Sequence, residues 1–247
     1  MQVKIDFNSD LAEGIGNDEE IMRVISSVNV CCGLHAGNYK EILKTLKLAK
    51  ELGLRIGAHP SFDDRANFGR SNENLSEVEL KALLAYQFGA MKQMCELVGV
   101  KLSYVKPHGA LYNMACVDFK LAKNIAIEVA KLGEDIALMG LSNSCLISAA
   151  NEVGIKSISE VFADRRYTDE GLLVSRSKEN AVIKDENEAI NQVLRMIKNS
   201  FVISENGKKV AIKAESLCLH GDNEKAILFA KKIKKTLEEN NISIRSN

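Results

Sequence analysis

Tryptophan is absent from the 247-residue sequence, and aromatic residues make up only 5% of it. Carbohydrate-binding surfaces and base-stacking platforms draw on exposed rings, so both rank low. Lys and Arg together number 33, as do Asp and Glu, and the formal net charge is zero. That balance lacks the electrostatic footprint of a nucleic-acid or anionic-membrane binder. Six cysteines, at 31, 32, 95, 116, 145 and 218, form no CxxC pair, which excludes zinc-ribbon and thioredoxin-like sites. Most lie in apolar stretches and read as small buried hydrophobes of a reduced cytoplasm. No apolar run reaches membrane-spanning length, and MQVKIDFNSD at the start has no signal-peptide core. The expectation is a cytoplasmic protein with neither a membrane nor a nucleic acid as partner. Proline occurs twice and histidine four times, yet Lys106, Pro107 and His108 stand side by side.

What is present is ordinary for a globular chain: 46% hydrophobic and 27% charged residues. Short apolar runs alternate with helical patterns. Strands are expected at 3–7, 27–32, 54–58, 102–105, 136–140, 156–161 and 216–220. Helices are expected from Asp18, whose carboxylate would cap the first turn, and at 39–52, 119–132, 143–153, 186–198 and 224–239, with a long one headed by the Ser76/Glu79 capping-box pattern. Residues 165–185 and 201–213 read as extra loops or small hairpins. Lys231, Lys232, Lys234 and Lys235 look like a basic patch, but Ile227, Ala230, Ile233 and Leu237 form a buried stripe opposite them, so the lysines are a solvated face. No linker or low-complexity segment divides the chain. Seven strand–helix units in one domain, 1–247, predict a seven-stranded (β/α) barrel, with an open doubly wound sheet as the alternative.

All four histidines follow a predicted strand: His35, His59, His108 and His220. Asp10 and Asp164 behave alike. A lone histidine among small residues is usually structural, but four of four at strand ends are hard to assign to packing. In a (β/α) barrel these ends converge on the face that carries the active site. Lys106 and His108 are two apart and can face one side of extended chain, with Pro107 stiffening the stem. A cation beside an imidazole suits polarising a carbonyl, or binding a phosphate, while a proton moves. Two chemistries stay open from the residues alone. One is metal-assisted hydrolysis with Asp10, His35 and His59 as conceivable ligands. The other is acid–base and phosphoryl chemistry with Lys106 and Arg165 as charge clamps. No HExxH, GxSxG or Walker A pattern occurs.

Six segments carry a resemblance. They are DFNSDLAEGIGND (6–18), NVCCGLHAGN (29–38), IGAHPSFDD (56–64) with NFGR (67–70), YVKPHGALYN (104–113), SEVFADRRYTDEGLLVSR (159–176) and CLHGD (218–222). In this order they resemble the LamB/YcsF family over nearly the whole chain. The resemblance implies a barrel of the glycoside hydrolase/deacetylase-like type. It also implies ATP-dependent opening of 5-oxo-L-proline to L-glutamate with ADP and phosphate, by the A component of a multi-subunit 5-oxoprolinase working with subunits B and C. ATP, with Mg²⁺, would be co-substrate, and no tightly bound metal is assigned. Asp10 or His59 would be the general base, Lys106 would offset charge on a phosphorylated oxygen, and His108 would donate a proton or hold substrate. Arg70 and Arg165 would grip a carboxylate or phosphates. Glu13, Asp164 and Asp222 would orient basic partners or Mg²⁺, and His35 and His220 would line the pocket. Glu13 and Arg70 lie in loops and could equally be surface ion pairs. Lys106→Ala is expected to abolish turnover without unfolding the chain.

The sequence departs from the family pattern. Ser9 stands where the family has Cys, Ala12 where it has Gly, Asn38 where it has Asp, and Ser61-Phe62 where it has Gly-Tyr. Ser9 argues against a cysteine nucleophile at that position. Two rival readings are kept: a metal-dependent deacetylase or amidohydrolase on a similar barrel, and a non-catalytic binding component.

Overall fold

The computed structural model describes residues 3–15, 18–219 and 224–245. Seven parallel strands, β1 (Val3–Leu11), β2 (Ser27–Cys31), β3 (Arg55–His59), β4 (Leu102–Val105), β5 (Ala137–Leu141), β6 (Ser157–Phe162) and β9 (Ser216–Cys218), follow one another around a ring. β9 pairs with both β6 and β1, which closes the barrel. The expected strands thus all form. β7 (Phe201–Ile203) and β8 (Lys209–Ala211) make the small antiparallel hairpin expected in 201–213, and residues 165–182 carry two isolated bridges. A further strand, β10 (Ile242–Ile244), extends the sheet beside the first residues of β1.

Among the described residues, eight helices surround the ring: α1 (Asp18–Met22), α2 (Tyr39–Leu52), α3 (Glu77–Val98), α4 (Gly109–Val117), α5 (Phe119–Ala130), α6 (Cys145–Val153), α7 (Glu186–Asn199) and α8 (Glu224–Glu239). Their starts follow local chemistry. Asn38 accepts from the backbone N–H of Lys40 and Glu41 at the head of α2, and Ser76 and Glu79 form a reciprocal capping box on α3. Asn38 therefore does the capping work that an aspartate would do there. Two details differ from expectation. Asp18 spends its carboxylate on the Ala12 N–H at 2.8 Å, pinning the loop after β1. Asn143 is not helical: it holds a left-handed φ of 63°, and Ser144 takes the N-cap position of α6 without a side-chain capping hydrogen bond. Fully burying Leu46 of α2 stabilises the helix–barrel contact by about 2 kcal/mol. On α8 the Ile227, Ala230, Ile233 and Leu237 stripe is buried, and Lys231 and Lys232 make exposed ion pairs with Glu20 and Glu186. Among the described residues, no helix is long and apolar enough to cross a membrane.

The inside of the barrel is polar on the β1–β2 side, which matters for the site above it, while Tyr104, Ala137, Met139 and Ile158 form a separate apolar cluster on β4 to β6. On β1 the residues alternate: Ile5, Phe7 and Leu11 join the apolar core, while Asp6, Asn8 and Asp10 turn inward. At the floor, Asp6 accepts from the hydroxyls of Ser26, Ser27 and Ser216. Above it, Asn8 donates to Ser216 Oγ and accepts from Asn29. Tyr104 crosses beneath β3 and donates its hydroxyl to Asn29 Oδ1 at 2.6 Å. A Cβ on Gly57 would stand 2.2 Å from that ring, so the tyrosine needs glycine on β3.

Candidate active site

The C-terminal ends of the strands meet at one mouth. Asp10 is the penultimate residue of β1, His59 closes β3, and Lys106 and His108 follow β4 directly. Lys106 points into the barrel. Its Nζ lies 2.9 Å from Asp10 Oδ1, 2.8 Å from Glu160 Oε1 and 3.3 Å from Cys218 Sγ. Burial alone would press this ammonium toward its neutral form, but the carboxylates of Asp10 and Glu160 more than offset that, and its pKa stands well above the usual lysine value. Lys106 is thus a fixed cation. Tyr112, on α4, donates to the other Glu160 oxygen at 2.8 Å.

His108 points to the opposite side of the same stem. Its Nδ1 lies 2.9 Å from His59 Nε2, and its Nε2 lies 2.9 Å from the Phe68 carbonyl. His59 Nδ1 lies 2.7 Å from the Lys106 carbonyl, and its Nε2 is 3.3 Å from Asp10 Oδ2. The His35 ring stacks on His108 with centroids 3.7 Å apart, and its Nε2 meets Glu13 Oε1 at 2.9 Å. Burial, followed by the neighbouring imidazoles, drives His35 far below the usual histidine range and His108 to about 3, so both rings are neutral. Gly69 lets these rings stack: it has φ 65°, and a Cβ there would lie 2.9 Å from His35 Cβ and 3.0 Å from His108 Cδ2.

These groups wall a chamber of about 60 Å³ lined by Asp10, Glu13, His59, Lys106, His108 and Phe68, among others. It adjoins an outer groove of about 460 Å³, and both are bordered by Arg70, Arg165 and Arg176. The guanidinium of Arg70 lies over the Phe68 ring. Arg165 is buried and donates to the carbonyls of Val174 and Ala181. Burial, with the Arg176 charge next, lowers its pKa to about 10, so it stays charged at neutral pH. A buried cation beside a carboxylate and imidazoles, opening onto an arginine-rimmed groove, can hold a carbonyl or phosphoryl oxygen against Lys106 while Asp10 takes a proton.

Seven of the residues singled out from the sequence therefore line the chamber: Asp10, Glu13, His59, Arg70, Lys106, His108 and Arg165. Glu13 is buried against His35 and is no surface ion pair. His35 sits behind the chamber wall, and Asp164 is half-buried beside Arg165 and lines neither cavity. His220 and Asp222 lie outside the described residues. Sequence reasoning missed Asn8, Asn29, Tyr112 and Glu160. The signal was there in part: Glu160 is an acidic residue in the middle of the apolar run SISEVF. Two cysteines are also more than packing, since Cys218 faces Lys106 and Cys31 Sγ lies 3.9 Å from His35 Nδ1. Ser9, by contrast, donates to the Leu219 carbonyl and lines neither cavity.

The LamB/YcsF family model matches residues 5–247. The chain belongs to the LamB/YcsF family. Its relatives in that family include a protein of Histophilus somni named as the A subunit of 5-oxoprolinase, 52% identical over 244 residues that cover 99% of each chain. The crystal structure of the lactam utilization protein from Thermus thermophilus superposes with a TM-score of 0.91 at 35% identity, covering 99% of this chain and 100% of that one. The peptidoglycan deacetylase PdaC of Bacillus subtilis shares the barrel alone, with a TM-score of 0.52 at 11% identity over 99% of this chain and 88% of the other. The LamB/YcsF chain is thus a closed seven-stranded parallel barrel, a fold it shares with that deacetylase.

Proposed function

We propose that this chain is the A component of an ATP-dependent 5-oxoprolinase, opening 5-oxo-L-proline to L-glutamate together with subunits B and C. The observation that carries the reading is the full-length 52% identity to a relative of that name. The polar mouth of the barrel supplies groups suited to the chemistry. A five-membered lactam is an unreactive amide. Transfer of the terminal phosphoryl group of ATP, as its Mg²⁺ complex, to the lactam oxygen breaks a P–O bond, releases ADP and makes the ring carbon electrophilic. Water then adds at that carbon, the C–N bond breaks, and the ring nitrogen leaves with a proton as the free amine. The acyl phosphate so formed is hydrolysed by a second water to glutamate and phosphate.

Lys106 is the cation for charge on the phosphorylated oxygen, with Glu160 and Tyr112 holding it in place. Asp10 is the base for water, since it faces both Lys106 and His59. His59 and His108 orient the reacting groups at the chamber wall. Arg70, Arg165 and Arg176 border the groove through which phosphates or the substrate carboxylate would be gripped. The test is 5-oxoproline-dependent formation of ADP and glutamate by the chain alone and with subunits B and C. Turnover in the mixture that Asp10→Asn abolishes supports the reading, and turnover unaffected by that change removes Asp10 as base. A second reading, metal-assisted hydrolysis of an amide without ATP, is favoured by the clustering of Glu13 with three imidazoles. Product formation without nucleotide would select it.

A further inference from the structure

We propose that Glu13, His35, His59 and His108 form a binding site for one divalent first-row transition-metal ion of the zinc type. One carboxylate oxygen and one nitrogen from each imidazole lie within 4.8 Å of one another. His35 Nε2 stands 2.9 Å from Glu13 Oε1, His108 Nδ1 stands 3.6 Å from the same oxygen, and His59 Nε2 stands 2.9 Å from His108 Nδ1. Metal bonds of about 2.1 Å at tetrahedral angles hold donor atoms about 3.4 Å apart, which falls inside this spread.

The far sides of the rings fix which atoms turn inward. His59 Nδ1 meets the Lys106 carbonyl and His108 Nε2 meets the Phe68 carbonyl. A carbonyl only accepts, so each ring uses its N–H there and turns a lone pair inward. Those two lone pairs face each other at 2.9 Å. Two acceptors that close call for a cation between or beside them. For these two rings an outward N–H on a carbonyl and an inward lone pair is how proteins orient metal-binding histidines. His35 differs: its Nε2 donates to the Glu13 carboxylate at 2.9 Å, a proton that metal binding there would release.

The donor set selects the ion. Three imidazoles and a carboxylate suit zinc, cobalt or nickel, whereas magnesium and calcium take oxygen cages. Asp10 is not among the residues whose donor atoms all come within 4.8 Å of one another, although its Oδ2 lies 3.3 Å from His59 Nε2 and its Oδ1 is held by Lys106. The set differs from the Asp10, His35 and His59 trio that the sequence suggested: Glu13 and His108 enter it and Asp10 leaves. Bound here, the ion would act as a Lewis acid at the chamber wall. Imidazoles committed to a metal cannot serve as acid or base, which leaves that role to Asp10. The inference stands apart from the ring-opening reading, since binding is measured without turnover.

The experiment takes the full chain, strips it with a chelator, titrates it with zinc by calorimetry, and repeats the titration with cobalt by visible absorption. The expected result is one equivalent bound with tetrahedral cobalt bands. His35→Ala and His108→Ala should each weaken zinc binding by more than about 100-fold, and Cys145→Ser should bind as the parent does. If a variant fails to fold by circular dichroism, zinc-edge X-ray absorption of the parent protein decides. Imidazole nitrogen with oxygen around zinc supports the site, whereas sulfur around zinc overturns it. The absence of one-equivalent binding, or undiminished affinity in both folded variants, also overturns it.

Discussion

Inside the barrel the Lys106 ammonium stands 2.8 Å from Glu160 Oε1, joining the end of β4 to β6 across the chamber floor. Asp10 of β1 holds the same ammonium at 2.9 Å, so one buried cation serves two buried carboxylates. This alters what Lys106→Ala should do. Removing one partner of a buried pair costs about 3–5 kcal/mol, because the other charges are left without compensation. The variant is therefore expected to lose stability as well as turnover, contrary to the sequence-based expectation. The double change Lys106→Met with Glu160→Gln removes one cation and one anion together. It should recover about 1–3 kcal/mol relative to the sum of the two single changes. Urea unfolding of the four proteins in the cycle reads this coupling, and additive effects would deny it.

Ala12 lies where the family pattern has glycine, and it holds a left-handed φ of 64° while fully buried. A Cβ in that conformation costs about 1–2 kcal/mol. Ala12→Gly is predicted to raise stability by about 1 kcal/mol, after subtracting the extra freedom of an unfolded glycine. A shifted denaturation midpoint at unchanged slope is the expected observation.

Gly57 admits the Tyr104 ring beneath β3. Gly57→Ala should displace that ring, break its hydrogen bond to Asn29, and destabilise the chain by about 2–3 kcal/mol. Calorimetric melting of the variant measures it. Gly207→Ala serves as a contrast, since its φ of 83° is strained but nothing lies within 4 Å of the new Cβ.

Much of this was legible in the chain. Alternating strand and helix patterns located all seven barrel strands, and the placement of His35, His59 and His108 after strands identified the mouth. What escaped was the interior. Asp6, Asn8 and Asp10 alternate on β1, but a polar lining on this side of the barrel inverts the usual apolar core, and only the closed ring shows them stacked toward Lys106. α4 was missed because Lys106 to His108 reads as an extended stem after the strand, although Gly109 opens a helix that carries Tyr112 to Glu160. β10 is only three residues long, and its pairing with β1 comes from sheet register rather than from local pattern.

Alkaline pH should loosen the fold. Burial raises Cys31 and Cys116 to about 12 and Cys95 to about 11, and it raises Tyr104 and Tyr112 well above their usual range. Folded values above unfolded ones mean that the stability contributed by these neutral groups is complete below the ordinary thiol range. It is lost as pH rises through the folded values. Stability measured by denaturant midpoint should therefore fall progressively above about pH 9. In the same proteins, native alkylation near pH 8 should modify Cys145, which is only partly buried, while the other five cysteines react on unfolding. Intact-mass analysis counts the adducts.

The most direct measurement of the central claim is 5-oxoproline-dependent release of ADP and glutamate by this chain mixed with subunits B and C, comparing the parent with Asp10→Asn. The account predicts coupled release of both products by the parent, and their loss in a variant that remains folded. Equal turnover by the folded variant, or no turnover in any combination of the three proteins, would contradict it.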